Sequence, residues 1–187
     1  ATTALTSLTM GSGDLTLYAI YKKTLTGTFI DYSGTTKTTR TASTNIYNKA
    51  TSGSVTAPAQ NTYTGWTNRG WGTGTTANAS AVSSYTISGD ATFYGLYQRT
   101  LTLSYNANGG STTPSSQTGI QYTNSYAVSI YSSPTFTLAN AISKTGATFS
   151  KWAAGSTAGT QYSAGASMTI TADTTMYAVW SNVLYTV

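Results

Sequence analysis

Asp173-Thr-Thr-Met-Tyr-Ala-Val-Trp180 is the stretch on which the fold of this chain turns, because it occurs twice more: as Asp90-Ala-Thr-Phe-Tyr-Gly-Leu-Tyr97 and as Asp14-Leu-Thr-Leu-Tyr-Ala-Ile-Tyr21. Each copy reads Asp, any residue, Thr, large apolar, Tyr, small, aliphatic, aromatic. Tyr18 and Tyr94 lie 76 residues apart, and Tyr94 and Tyr177 lie 83 apart. A recurrence of about 80 residues identifies a tandem array of small modules, each one supersecondary unit supported by its neighbours. Alternation puts Met176, Ala178 and Trp180 on one face of an extended strand and Thr175, Tyr177 and Val179 on the other. Both faces are largely apolar, as in a strand in the middle of a sheet. The small position (Ala19, Gly95, Ala178) marks a close approach by another backbone or a ring. The leading aspartates follow turn residues and are read as turn formers.

Working outward, the chain divides into residues 1–21, the end of one module; 22–97, a first complete module; 98–180, a second; and 181–187, the opening strand of a third. In residues 1–21, Leu5–Met10 and Asp14–Tyr21 are expected as strands around the turn Gly11-Ser-Gly13. In the first module the expected strands are Thr24–Phe29, ending at the turn Asp31-Tyr-Ser-Gly34, then Tyr63–Trp66 and Tyr85–Ile87. Thr67–Ser80, with its glycines and Trp71, reads as an irregular loop. In the second module Thr100–Tyr105 opens and Asn108-Gly-Gly110 supplies a turn that needs φ > 0. Gln121-Tyr122 and Tyr126–Ile130 are strand material, and Phe136–Ile142 is the one place for a short helix, of about two turns. Phe149–Trp152 matches Tyr63–Trp66, and Met168–Ile170 matches Tyr85–Ile87.

Composition bounds the function. Of 187 residues only 7% are charged, far below the usual quarter, while 15 are tyrosine and four tryptophan. Polarity supplied by Thr, Ser, Asn and Gly instead of charge is a trait of extracellular β-rich surfaces and fibres. The net charge of +5 comes from nine dispersed cations, of which only Lys22 and Lys23 adjoin, so there is no nucleic-acid footprint. No run of about 18 apolar residues offers a membrane span. Cysteine, histidine and glutamate are absent, and the carboxylates are Asp14, Asp31, Asp90 and Asp173. Three of these fill one repeated position, a module apart, whereas a glycosidase pair sits within about 10 Å. Serine and threonine have no imidazole base, and metal sites need clustered acids. No catalytic residue, no metal ligand and no cofactor is therefore assigned. Trp66, Trp152 and Trp180 stand at module landmarks and are expected in cores. Trp71, Tyr32 and Tyr47 have no counterparts in the second module and are the candidates for an exposed aromatic contact surface, suited to stacking on sugar rings.

Thr100-Leu-Thr-Leu-Ser-Tyr-Asn-Ala-Asn-Gly-Gly110, Gly146-Ala-Thr-Phe-Ser-Lys-Trp152 and Ile170-Thr-Ala-Asp-Thr-Thr-Met-Tyr-Ala-Val-Trp180 together resemble the Listeria-Bacteroides repeat, also called the internalin B-repeat. The first module departs from that pattern, with Asp31-Tyr-Ser-Gly34 for Asn-Gly-Gly and Tyr97 for the closing Trp. The resemblance implies a mainly β, β-grasp-like module found in multiples in secreted and surface-anchored bacterial proteins, as stalk, spacer or adhesive unit, with no catalytic residues. The expected partners are neighbouring repeats or copies of itself, or a host or matrix protein or glycan. Two rival readings are a self-assembling extracellular fibre or sheath subunit and a carbohydrate-binding module.

Overall fold

The computed structural model describes residues 3, 6–9 and 11–183, and among these it is all β, without a helix. The strands are β1 (Lys22–Ser33), β2 (Thr36–Tyr47), β3 (Gly53–Ser54), β4 (Thr67–Gly72), β5 (Thr86–Ile87), β6 (Ala91–Asn106), β7 (Gln117–Asn124), β8 (Tyr131–Ser132), β9 (Thr135–Thr137), β10 (Ala147–Ala154), β11 (Gln161–Tyr162), β12 (Ser167–Thr169) and β13 (Thr174–Asn182). They form two compact units. The first holds residues up to Thr64, Asn68–Leu96 and Asn124–Ile130; the second holds Gly65–Thr67, Tyr97–Thr123 and the chain from Tyr131. β6 begins in the first unit and ends in the second.

In the first unit β1 and β2 form a hairpin in unbroken antiparallel register from Lys22↔Tyr47 to Ser33↔Thr36. The turn between them uses Gly34 at φ +62°. Thr and Ser dominate β2, and β-branched residues suit a half-buried pleated surface. β1 also pairs in parallel with the start of β6, Gly27↔Ala91 to Ile30↔Tyr94. β4 pairs β6, and β3 pairs β5 in a separate two-stranded sheet. Alternation along β1 sends Leu25 and Phe29 inward, where they form a core with Val55, Trp71, Ile87 and Phe93. Phe29 stacks on Phe93 at 4.9 Å, because the two are register partners across the parallel pair.

The second unit repeats these relations. The end of β6 pairs in parallel with β13, Leu103↔Thr174 to Asn106↔Tyr177. β13 pairs antiparallel with β10, with an irregularity between Phe149 and Lys151, and β10 pairs β11. β7 pairs β6 and β8, and β9 pairs β12 in a small sheet of its own. Leu101, Leu103, Tyr105, Phe136, Leu138, Trp152, Ile170, Met176 and Ala178 fill the core. The turn after β6 takes Asn108 at φ +47° and Gly109 at φ +81°, as its Asn-Gly sequence requires.

Several expectations are corrected. The short helix over Phe136–Ile142 is absent: Phe136 lies in β9, and Leu138 exchanges backbone bonds with Gly165 and Ala166. Two turns of helix cannot outweigh a strand partner already in place. Asp14–Tyr21 is not a strand, and Leu17 (64% exposed), Tyr18 (84%) and Tyr21 (73%) face solvent. The corresponding stretches Ala91–Tyr94 and Thr174–Tyr177 each pair with an opening strand, and Asp14–Tyr21 has no strand pairing among the described residues. The expected strand Leu5–Met10 has both end residues outside the described residues, and Thr6–Thr9 are not strand. The expected opening strand at 181–187 is described only through Val183; Ser181 and Asn182 end β13 and residues 184–187 lie outside. Tyr126–Ile130 form turns, with Ser129 at φ +66°. Tyr63–Trp66 is a turn about Gly65 (φ +78°), and the stretch read as loop after it contains β4.

Candidate functional site

The tryptophans are placed by backbone alternation, and that decides which of them can meet a partner. β4 is Thr-Asn-Arg-Gly-Trp-Gly, polar until Trp71, and its last residues turn inward. Trp71 is 3% exposed, its ring set edge-on against Phe29 at 5.1 Å and its indole N–H donating to the Pro58 carbonyl at 2.9 Å. Trp152 on β10 sits the same way, edge-on against Tyr105 at 4.9 Å and donating to the Ala139 carbonyl at 2.8 Å. A buried indole needs an acceptor, and both units supply a carbonyl from the chain crossing beneath the sheet. Trp71 is thus the first unit's counterpart of Trp152, and its expected exposure is overturned. The match of Tyr63–Trp66 to Phe149–Trp152 failed because the polar run before Trp71 disguised a strand.

Tyr32 and Tyr47 are half-buried. They stand near opposite ends of the β1–β2 ladder, opposite Lys37 and Lys22 respectively. At about 3.3 Å per residue, the ten ladder steps between them span roughly 33 Å. The three candidate aromatics therefore do not form one surface.

Two groupings were missed in the sequence. In the second unit Trp66 is half-buried rather than core, stacked on the exposed Tyr131 at 5.8 Å with the Arg99 guanidinium 4.7 Å from its ring centre. Arg99 is held by the Gln121 side chain at 2.6 Å and the Thr171 carbonyl at 2.7 Å, so the cation is fixed over the ring. In the first unit Asp31 is fully buried. Its carboxylate accepts the Asn61 backbone N–H at 2.5 Å and lies 3.7 Å from Arg40, whose guanidinium also donates to the Asn61 side-chain carbonyl. The Asn61 amide donates to the Thr38 hydroxyl at 2.9 Å, and Gln60 bridges both backbone groups of Gly70 at 3.0 Å. A Cβ on Gly95 would fall 2.6 Å from the Asp31 carboxylate, so only glycine fits beneath it. Buried Asn124 and Ser125 complete this end of the unit. Asn124 donates to the carbonyls of Gly74 and Thr76, and Ser125 accepts from the Tyr32 N–H at 3.0 Å and donates its own N–H to the Gly95 carbonyl at 2.8 Å.

The remaining described carboxylates with a bonding role serve the same end. Asp90 accepts the Thr26 N–H and Asp173 accepts the Thr102 N–H, each at 2.8 Å. Each aspartate thereby pins a closing strand to the opening strand beside it, which goes beyond forming a turn. No group of three metal-ligating side chains occurs among the described residues.

Residues 102–179 match the model of the Listeria-Bacteroides repeat domain. This part of the chain is a Listeria-Bacteroides repeat domain. Its landmarks are the ones that build the second unit: the Asn108-Gly109 turn, Trp152 on β10 and the closing strand β13. Repeats of this family are typical of bacterial surface proteins. No curated protein and no solved structure matches the chain. No helix among the described residues is long and apolar enough to cross a membrane.

Proposed function

We propose that the chain is a non-catalytic tandem-repeat segment of a secreted or cell-surface bacterial protein, acting as a stalk, spacer or adhesive unit, and that the first unit is a divergent copy of the Listeria-Bacteroides repeat in the second. The supporting observation is the pairing of closing strand with opening strand, locked by an aspartate, in both units: Asp90 to Thr26 N–H and Asp173 to Thr102 N–H. Two sequences that preserve this bond, the parallel register and a tryptophan donating beneath the sheet are most simply copies of one module. Of the four carboxylates, Asp90 and Asp173 accept backbone N–H groups and Asp31 is buried beside Arg40. Its partners are neighbouring repeats, copies of itself, or a host or matrix component. Protease treatment of intact producing cells tests the location: digestion of the chain without lysis supports it, and full protection overturns it. Single-molecule pulling tests the mechanical role, with two unfolding events expected, each releasing about 80 residues or roughly 27 nm of chain. A chain that extends without resisting force overturns that role.

The carbohydrate-binding reading moves from Trp71 to the exposed ring of Tyr131 on Trp66. It predicts tryptophan quenching by a glycan that weakens in Tyr131→Ala, and a flat titration across a broad glycan panel ends it.

A further inference from the structure

β2 is the last strand of its sheet and bonds only to β1, so one of its edges is bare. The bonds around the hairpin fix which groups lie there. On β1 the Thr26 and Tyr32 N–H groups point away from β2, to Asp90 and Ser125, and one step beyond the ladder the Asn48 N–H points to the Tyr21 carbonyl. Hydrogen bonding alternates along an antiparallel pair, so in the Lys22↔Tyr47 register the even-numbered residues of β2 bond to β1. The odd-numbered ones, Lys37, Thr39, Thr41, Ser43 and Asn45, turn both backbone groups outward. Among the described residues no hydrogen bond reaches those groups. At the strand end the Tyr47 carbonyl is taken by the Ala50 N–H, so the free run is 37–45.

The bare edge is decided by the chain on either side of β2. In the second unit β7 holds the place of β2, and its far edge is taken by β8, with Tyr122↔Ser132 and Thr123↔Tyr131 paired. In the first unit the chain after β2 folds under the core face instead. There β3 pairs β5, and a Cβ on Gly53 would fall 2.8 Å from Thr44 and 2.9 Å from Ile46. The usual guards of an edge are also missing. β2 is 12 residues long, without proline or bulge, and its charges are Lys37 and Arg40.

We infer that β2 pairs antiparallel with β2 of a second copy of this chain, about a twofold axis at Ala42, so that the two sheets join edge to edge. β2 is self-complementary in that register. Thr41 lies opposite the partner's Ser43, Thr39 opposite the partner's Asn45, and Lys37 opposite the partner's Tyr47. Arg40 lies opposite the partner's Thr44, so no cation meets a cation. At the axis alanine faces alanine, which suits the close approach of a pair without backbone bonds. Thr39, Thr41, Ser43 and Asn45, all exposed, would exchange about eight backbone bonds with the partner, near the ten or so of a stable interface. The contact is isologous and closes at the dimer. It needs the first unit alone and does not rest on the repeat reading.

Sedimentation velocity of the whole chain over a wide concentration range tests it, with a monomer–dimer equilibrium expected. Thr41→Pro removes an outward N–H and no bond to β1, so it should weaken association about tenfold or more and leave far-ultraviolet circular dichroism unchanged. Ser43→Lys sets two like charges beside the axis and should do the same, which keeps the test sound if the proline disturbs the fold. Cysteine reads the register, because the chain has none of its own. Ala42→Cys should form an intermolecular disulfide on oxidation, since the axis brings the two Cα atoms to about 4.5 Å. Thr39→Cys, facing the partner's Asn45, should stay reduced. A parent chain that is monomeric at every concentration overturns the inference and gives the edge to a foreign strand, and growth beyond the dimer overturns it too. So does a dimer that survives Ser43→Lys or fails to cross-link through Ala42→Cys. A monomer that is still shaved from intact cells overturns this contact alone and leaves the proposed function standing.

Discussion

The two units solve the same packing problem beneath the closing strand in opposite ways. In the second unit the small position is Ala178, and the opening-strand residue next in register is Ala107; both are buried and apolar. In the first unit the same pair is Gly95 and Asp31, with a carboxylate filling the space that the missing methyl leaves. A buried carboxylate must be compensated, and Arg40, Asn61, Gln60 and Ser125 gather around this one. The difference teaches that the two units share the strand framework and its aspartate lock, while the contents of the space under it differ as a set. Removing one partner of such a network leaves an uncompensated buried charge.

The largest expected effect breaks the likeness between the units at its strongest point. Trp152→Ala and Trp71→Ala should each cost about 3–5 kcal/mol in chemical denaturation. A Trp71 variant that costs under about 1 kcal/mol would show an exposed ring instead of a core one. Next comes the contrast itself. Gly95→Ala should destabilise by about 1–3 kcal/mol through the clash with Asp31. Asp31→Ala should cost about 2–3 kcal/mol, below the value for a fully buried pair because Arg40 keeps 30% of its side-chain surface in water. The double variant, which recreates the alanine pair of the second unit, should cost less than the sum by over about 1 kcal/mol. Simple additivity would mean that the two positions do not share one space. Asp173→Ala and Asp90→Ala each remove one acceptor from an opening-strand N–H at an exposed position, and should lower stability by about 1 kcal/mol. Equal losses would show that the lock is common to both units. The smallest effect belongs to Lys144, whose ammonium lies 5.5 Å from the Trp180 ring in the second unit. Lys144→Ala should cost about 0.5 kcal/mol and shift tryptophan emission slightly.

The repeated octapeptide was legible because period-two alternation and an invariant Asp-x-Thr lead survive divergence, and two of its three copies are the strands on which the sheets are built. The Asn108-Gly109 turn was legible for the same local reason, since few residues tolerate φ > 0. β2 was not, because Thr36–Asn45 holds no large apolar residue and becomes strand by pairing with β1, whose twelve residues are all matched. β4 was hidden likewise, and with it the true partner of Trp152. Of the candidate surface residues, Tyr32 and Tyr47 keep partial exposure, but their separation along the ladder could not be known before β2 was placed.

By itself the sequence determined the mainly β class, the spacing of the recurring octapeptide, two of the three strands read from it and the absence of histidine and cysteine side chains, since each rests on composition or on a period that local sterics impose. Only the tertiary structure decided which tryptophan is core, what lies under the small position of each closing strand, and that Asp14–Tyr21 forms no strand. Those outcomes depend on which segments meet across 60 or more residues of chain, as Thr26 meets Asp90 and Thr102 meets Asp173. No local pattern encodes a partner so distant, and burial is conferred by that partner alone.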